Sequence, residues 1–290
     1  MADAVSAAVE RQRRQSRVIY AVLVALMALF LIREMNLPFV VGPQATALYD
    51  AIEKVPDDKL VVVHLAWAAG TIGESAPQTE ALLQHLFMAR KRVALFGIDP
   101  VGPGLGQQIA ERQAKRLGRE YGRDWVNWGY RPGQLAMFLG LGRDIPGTLK
   151  KDMFGADLST MPVMAGVKTA HDLGMVIDVA SSSTVEIWIQ YFHGVYGTPI
   201  GYAPTAVMVP EAYPYLQAGQ LVGMLAGIKG AAEYAQLLRQ RRPDAELTWG
   251  YPPTRAMNAI SIAHALIVVL IVYGNYTYFT RARRRGAERA

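Results

Sequence analysis

Polar residues that could bind a ligand follow most of the predicted β-strands. The candidates are Asp178 within a strand and, after strand ends, Asp99, Arg131, Ser181, Ser182, Ser183 and Thr205. In an open parallel sheet, the loops after the carboxyl ends of the strands surround the ligand crevice. The three serines precede a predicted helix whose free N–H groups could bind an anion, and Arg131 could add a bidentate contact. These residues favour a small anionic ligand.

Each of these signals also has a purely structural interpretation. Ser183 and Glu186 have the spacing of a capping box, which stabilises a helix start without a ligand and is favoured here over an anion site. Asp178 interrupts an apolar run, so a carboxylate buried there needs a partner, such as Arg131 or a helix N-terminus. For Asp178, a structural ion pair and a functional role both stay open.

Catalytic and cofactor-binding signatures are absent from the sequence. It contains neither His-Glu-x-x-His, Gly-x-Ser-x-Gly nor Gly-x-x-x-x-Gly-Lys-Ser/Thr. Gly102-Pro103-Gly104-Leu105-Gly106 follows a strand, but its spacing departs from Gly-x-Gly-x-x-Gly, so a tight turn and helix start is favoured over a dinucleotide site. The histidines lack metal-ligand spacing and there is no cysteine, so we predict neither a metal nor a cofactor.

A glycine repeat suggests close packing in the last predicted helix of the domain, 213–239. Gly219, Gly223 and Gly227 recur at every fourth position, which would leave one helix face without side chains. Packing of that face on the domain's own sheet is favoured over a subunit interface, so homo-oligomerisation is the alternative.

Short apolar runs alternate with amphipathic stretches, which is typical of a parallel sheet covered by helices on both faces. The predicted strands are Leu60–Ala66, Val93–Ile98, Trp125–Gly129, Met175–Val179 and Ile200–Tyr202. The fold class is therefore α/β, with a doubly wound, mostly parallel, five-stranded Rossmann-like sheet. The long stretch 142–173 is either a lid or contact loop or a surface insertion with a short helix of its own.

Two apolar segments read as transmembrane helices, one near each end of this domain. Val18 to Ile32 is apolar throughout, and Ala256 to Phe279 is nearly so. A signal peptide is the alternative for the first, but it lacks a small-x-small cleavage pattern. Arginines precede the first segment and follow the second, namely Arg11, Arg13, Arg14, Arg17, Arg281, Arg283, Arg284, Arg285 and Arg289. The positive-inside rule therefore places both termini in the cytoplasm and the domain outside it. We expect an integral protein of a prokaryotic inner membrane with the lipid bilayer as a partner.

The predicted organisation consists of seven segments. They are a basic tail (1–17), a transmembrane helix (18–33), a linker with a short helix (34–58), the α/β domain (59–238), a tether (239–255), a second transmembrane helix (256–279) with Trp249 and Tyr251 in its interface belt, and a basic tail (280–290).

Residues 34–255 carry 20 Lys and Arg against 21 Asp and Glu, so the net charge of +6 comes from the tails. A nucleic-acid partner is therefore not expected.

Two groups of motifs resemble a family of uncharacterised prokaryotic two-span membrane proteins with an extracytoplasmic Rossmann-like domain. The motifs are Tyr121-Gly122-Arg123-Asp124 with Gly129-Tyr130-Arg131-Pro132-Gly133, and Tyr213-Pro214-Tyr215-Leu216 with Gly219-Gln220-Leu221-Val222-Gly223 and Lys229-Gly230-Ala231-Ala232-Glu233-Tyr234. The resemblance covers most of residues 59–238. It implies one defined domain but no activity or site residue.

Together these observations predict a two-span envelope protein. Its outer domain binds a ligand or partner, or self-associates as a scaffold. The alternative is an extracytoplasmic hydrolase or transferase that acts on an anionic polar substrate through Asp99, Asp178, Arg131 and the serine loop. Convergence of these groups in one pocket would favour the enzyme.

Overall fold

The structure, a computed structural model, describes residues 2–32 and 40–287 and divides into two compact units. One unit holds the terminal helices α1 (Ala2–Ile32) and α11 (Pro253–Ala287). Within them, Val9–Ile32 and Pro253–Thr280 have mean hydropathies of 2.0 and 2.1 and are long enough to cross a membrane. Both predicted transmembrane segments therefore lie in helices of suitable length and composition.

The second unit, residues 39–253, is built on a six-stranded, all-parallel sheet. Its strand order is β3-β2-β1-β4-β5-β6, so the direction in which strands are added reverses between β1 and β4. The strands are β1 (Leu60–Ala66), β2 (Arg92–Gly97), β3 (Trp125–Tyr130), β4 (Leu173–Ala180), β5 (Ile200–Pro204) and β6 (Gly223–Met224). The predicted α/β class is confirmed, but the predicted number of five strands missed the two-residue β6.

Helices cover both faces of this sheet because its central strands are apolar on both sides. In β1, Val61, Val63 and Leu65 contribute to one core cluster, whereas Leu60 and Val62 contribute to the other. The first face carries α2 (Pro43–Glu53), α3 (Ile72–Met88), α4 (Val101–Leu117) and α10 (Gly227–Arg241). The second carries α5 (Gln134–Arg143), α6 (Ile145–Thr148), α7 (Val185–Trp188), a π-helical turn (Ile189–His193), α8 (Gly194–Tyr196) and α9 (Val209–Gln217).

The predicted glycine-faced helix is wrong. The chain between α9 and α10 turns at Gly219, forms β6 at Gly223 and starts α10 at Gly227. Gly219 and Gly227 have φ of 72° and 56°, a left-handed backbone that favours glycine and interrupts a helix. A Cβ on Gly223 would lie 2.3 Å from the backbone nitrogen of Leu48, so this glycine lets α2 pack directly on the edge of the sheet.

The stretch 142–173 is a packed insertion. It contains α6 and three 3₁₀ turns, and Leu149, Leu158 and Val163 are buried in the second core cluster. The guanidinium of Arg92, at the start of β2, binds the insertion by donating hydrogen bonds to the carbonyls of Val163 and Ala165. The insertion, with its own short helix, is therefore part of the domain core.

The predicted tether is bound along the domain. Its anchor is Glu80 in α3, whose fully buried carboxylate accepts hydrogen bonds from the backbone N–H groups of Gly250 (3.0 Å) and Tyr251 (2.7 Å). Arg112 and Gln113 donate to the same carboxylate. Trp249 and Tyr251, expected in the membrane interface, pack against the first core cluster instead.

Candidate functional site

The crevice expected of this topology lies where the strand order reverses, between the carboxyl ends of β1 and β4. The loops that follow these two strands form its sides. They are joined at their base because the N–H of Ser181 donates to the carbonyl of Ala66 (3.1 Å). We therefore take the carboxyl edge of the sheet at this point as the candidate site.

A buried polar network lies close to the carboxyl ends of β1 and β4. His64 of β1 and Asp178 of β4 are opposite each other in the sheet, with Nδ1 of the histidine 2.6 Å from Oδ1 of the aspartate. The hydroxyl of Thr184 donates to the other carboxylate oxygen (2.8 Å). Asp178 thus has partners, which are His64 and the hydroxyl of Thr184, the N-cap of α7. Arg131, one of the two candidates from the sequence, is not a partner. Sequence reasoning missed His64 because no spacing links it to Asp178.

The hydrogen bonds determine which nitrogen of His64 carries a proton. Nδ1 cannot both donate to Asp178 and accept from the indole N–H of Trp188, which lies 3.2 Å away. The contact with the carboxylate is the shorter of the two and is charge-assisted, so Nδ1–H donates to Asp178. Nε2 is buried without a partner among the described residues, in a side chain flanked by the rings of Phe96, Phe138 and Trp188.

The serine loop is exposed above this network. Ser182 and Ser183 are exposed and Ser181 is half-buried. The predicted capping box is wrong: α7 starts after Thr184, whose hydroxyl is bonded to Asp178, and this helix has no side-chain cap. Glu186 instead accepts a hydrogen bond from the hydroxyl of Tyr215 (3.3 Å). The serine hydroxyls are therefore available to a ligand.

Arg131 and Asp99 lie farther along the same edge. Arg131 follows β3, and its guanidinium donates to the carbonyl of Lys151 in the insertion, where burial lowers its pKa. β3 and β4 are three strand spacings apart, roughly 14 Å, so the guanidinium and the serine loop occupy different parts of the edge. Asp99 follows β2 and accepts the N–H of Val101 (2.9 Å) at the start of α4.

Thr205 marks the other end of the edge, after β5. Its N–H donates to the carbonyl of Ala180 (3.1 Å), which fixes it beside the end of β4. Its hydroxyl is buried and has no partner among the described residues. Beside it, the amide nitrogen of Gln78 donates to the carbonyls of Pro204 and Leu225 (2.9 Å each), whereas its Oε1 is also buried without a partner. Nothing in the helical pattern around Gln78 singled it out.

Two glycine-containing segments follow strands at this edge, and close packing requires glycine in only one of them. The segment 102–106 lies in α4, where a Cβ on Gly102 or Gly106 would come within 2.3 Å of Leu65. Those glycines allow α4 to pack on β1, which supports the helix-start interpretation. The other segment, 68–73, follows β1 and leads into α3, and its two glycines, Gly70 and Gly73, have open space around them.

A second polar cluster joins helices on the first face of the sheet. His85 donates from Nε2 to Glu53 (2.8 Å) and accepts at Nδ1 from the hydroxyl of Tyr234 (2.6 Å). The hydrogen bond from His85 lowers the pKa of Glu53 to about 2, with a further contribution from Arg242. Burial lowers the pKa of His85, which favours the neutral imidazole. Because both ring nitrogens are satisfied, the cluster links α2, α3 and α10 structurally.

Comparisons with known proteins identify no family for this chain. No family model matches it, and no curated protein or solved structure does so. The resemblance to uncharacterised two-span membrane proteins stays a prediction.

Proposed function

We propose that this chain is a two-span protein of a prokaryotic inner membrane whose extracytoplasmic α/β domain binds a small ligand between the loops after β1 and β4. The observation that carries the proposal is the reversal of strand order at β1 and β4 with polar side chains on both strands. Open parallel sheets bind ligands at such a point because the two flanking loops diverge there.

The contacts support ligand binding over hydrolysis or group transfer. The enzyme alternative requires Asp99, Asp178, Arg131 and the serine loop to act together. Each of the three charged groups has its own partner, respectively the N–H of Val101, His64 and the carbonyl of Lys151. Nε2 of His64 has no partner among the described residues, but the side chain is fully buried and flanked by aromatic rings. A general base must come within hydrogen-bond reach of the proton it removes, and this one is closed to solvent.

Retention of a ligand by the purified protein tests the proposal. The full chain is purified in detergent and denatured, and any small molecule released is identified by mass spectrometry. Ser182→Trp fills the crevice from an exposed position, whereas Ser159→Trp places the same side chain on the insertion and serves as the matched control.

The wild-type protein and the control should release the same molecule, and Ser182→Trp should release little of it. Equal release from all three proteins would place the ligand outside the crevice. A wild-type protein that releases nothing would contradict the proposal.

A further inference from the structure

We infer that a cavity between α7 and α9 binds the ammonium group of a small primary amine. The cavity adjoins the serine loop at Ser183, on the side of β5, so it is a second site and the inference goes beyond the proposed function. It is carried by a tyrosine hydroxyl that faces the cavity without a partner, and by two carboxylates without a cationic partner.

The cavity lies where α7 and α9 pack over β5 on the second face of the sheet. Val185 and Glu186 contribute to its lining from α7, and Glu211 and Tyr215 contribute from α9. Its empty volume is about 200 Å³, and the interior has room for one group about the size of a water molecule. A ligand can therefore insert only a compact head group, while the rest of the molecule stays outside.

Tyr202 of β5 forms the inner end of the cavity. It is 1% exposed, and its hydroxyl forms no hydrogen bond with a described residue. Unlike the oxygens of Gln78 and Thr205, this hydroxyl oxygen is not sealed from solvent, and the cavity is the space that it faces. A hydroxyl held in the core without a partner is unfavourable, so a polar group in the cavity would stabilise it.

Glu186 and Glu211 place two negative charges at the mouth of the cavity. Both residues are exposed, and neither forms a salt bridge with a described residue. The hydroxyl of Tyr215 donates to Glu186 (3.3 Å), which holds that carboxylate beside α9. Burial raises the pKa of the Tyr202 hydroxyl most, and after Asp178 these two carboxylates raise it further, so they lie within electrostatic range of it.

These groups match the chemistry of a primary ammonium ion. Such an ion presents three N–H donors and a positive charge in a compact head, and the cavity offers two carboxylates and a hydroxyl oxygen. No lysine or arginine of the described chain lines the cavity, so an anion has no cationic partner there. A guanidinium is planar and larger than the interior. A metal ion is disfavoured because no three metal-binding side chains meet within the described ranges.

The walls and the mouth limit what can accompany the amine. The apolar side chains of Val185, Met208 and Ala212 suit the carbon atoms beside the nitrogen. A phosphate near the amine would be repelled by the two carboxylates, so a free amine fits better than the head group of an ethanolamine phospholipid.

Calorimetry on the full chain in detergent at low ionic strength tests the chemical class. Ethanolamine should bind. Phosphoethanolamine carries the same ammonium group beside a phosphate and should bind about fivefold more weakly or worse. Tetramethylammonium has the charge but no N–H donor, and it is too bulky for the interior. Neither tetramethylammonium nor calcium should displace ethanolamine at equal concentration.

Two pairs of variants locate the binding. Tyr202→Phe removes only the hydroxyl and should weaken ethanolamine binding by about threefold or more. Tyr213→Phe is its control, because Tyr213 is an exposed tyrosine of α9 outside the cavity lining. Glu211→Gln should weaken binding by about fivefold or more, whereas the exposed Glu246→Gln should leave it unchanged. Because Glu211 is itself exposed, the second pair decides the question if Tyr202→Phe does not fold.

The inference would be overturned if the wild-type protein did not bind ethanolamine, or if it bound phosphoethanolamine equally well. Equal affinities in folded Tyr202→Phe and Tyr213→Phe, or in Glu211→Gln and Glu246→Gln, would also overturn it. Displacement by tetramethylammonium at equal concentration would indicate a general acidic surface, and displacement by calcium would indicate a metal ion; either result would contradict an amine site.

Discussion

His64 and Asp178 lie opposite each other on neighbouring parallel strands, with Nδ1 2.6 Å from Oδ1 and both side chains fully buried. They are the polar pair in two strands that otherwise carry apolar side chains. Each side chain provides the hydrogen-bond partner that the other needs, so both can be buried only in this register of β1 against β4. A slip of β1 against β4 would bury an unpaired carboxylate.

Removal of the carboxylate should therefore destabilise the domain. Asp178→Ala leaves Nδ1 of His64 and the hydroxyl of Thr184 without an acceptor, and we expect the free energy of unfolding to fall by about 3–5 kcal/mol. Asp178→Asn keeps an acceptor oxygen and should cost about 1–3 kcal/mol. Denaturant unfolding of the full chain in detergent measures both. The exposed Asp244→Asn is the control, and a loss below about 1 kcal/mol in Asp178→Ala would show that the pair is not required.

Stability should fall in acid in two stages. The pKa of His85 is lowered in the folded protein, so the unfolded chain binds the proton first and stability declines as the pH drops below 6.5. The pKa of Glu53 is lowered from 4.5 to about 2, so a second decline follows between these values. Glu53→Gln should reduce the second stage and leave a remainder, because the pKa values of Asp57, Asp157 and Asp172 are also lowered in the folded protein. Melting curves from pH 8 to pH 2 test this, and an unchanged acid limb in Glu53→Gln would contradict it.

At neutral pH, the effect of Glu53→Gln should be small because the carboxylate is partly exposed and screened by solvent. A loss of about 1 kcal/mol corresponds to about 2–4 °C in Tm for a domain of this size. Asp50→Asn on the same helix makes a control, since no salt bridge joins Asp50 to another described residue.

Glu80 should hold the chain before α11 against the domain. Glu80→Ala removes the acceptor for the N–H groups of Gly250 and Tyr251, and a bond to a charged acceptor contributes about 1.5–3 kcal/mol. Amide exchange in the peptide that contains both residues should accelerate by about tenfold or more. Glu111→Ala, which removes an exposed acceptor of Gln107, should leave that peptide unchanged. Equal exchange in the two variants would contradict the anchoring role.

Two glycines should respond in opposite ways to alanine. Gly223→Ala drives a Cβ into the backbone of Leu48 and should destabilise the domain by about 1–3 kcal/mol. Gly73→Ala adds a methyl group in open space within a helix and should be neutral or stabilise by up to about 1 kcal/mol. Thermal unfolding of both variants tests the contrast. Equal melting temperatures would refute the packing role given to Gly223.

Membrane topology can be tested with single cysteines because the chain has none. Ser159→Cys lies at an exposed position of the insertion, and Ser6→Cys lies in the N-terminal tail. If the domain is extracytoplasmic, a membrane-impermeant maleimide should label Ser159→Cys in intact spheroplasts and Ser6→Cys only after permeabilisation. The reverse pattern would invert the orientation.

The sequence predicts the sheet well because its strong signals are local. Runs such as Leu60-Val61-Val62-Val63 are buried on both faces whatever the strand order is, so the first five strands could be located from composition alone. β6 has two residues and includes Gly223, where it pairs with β5 and packs directly against Leu48 of α2. A contact between segments so distant in sequence leaves no periodic signal.

The location of the candidate site could be predicted from the sequence better than the contacts between its residues. Asp178 stood out as a charge in an apolar run, yet its pairing with His64 depends on β1 and β4 being neighbours. The order of strands also decides that Arg131 lies away from the serine loop.

The insertion 142–173 also covers the outer edge of β3. The N–H of Met153 donates to the carbonyl of Asn127 (2.9 Å), so the insertion occupies an acceptor that another strand would use. The other edge ends in the two residues of β6, too short to pair firmly with a further strand. Neither border is suited to sheet extension, so copies of the domain are protected from joining edge to edge, and any self-association would have to proceed through side chains.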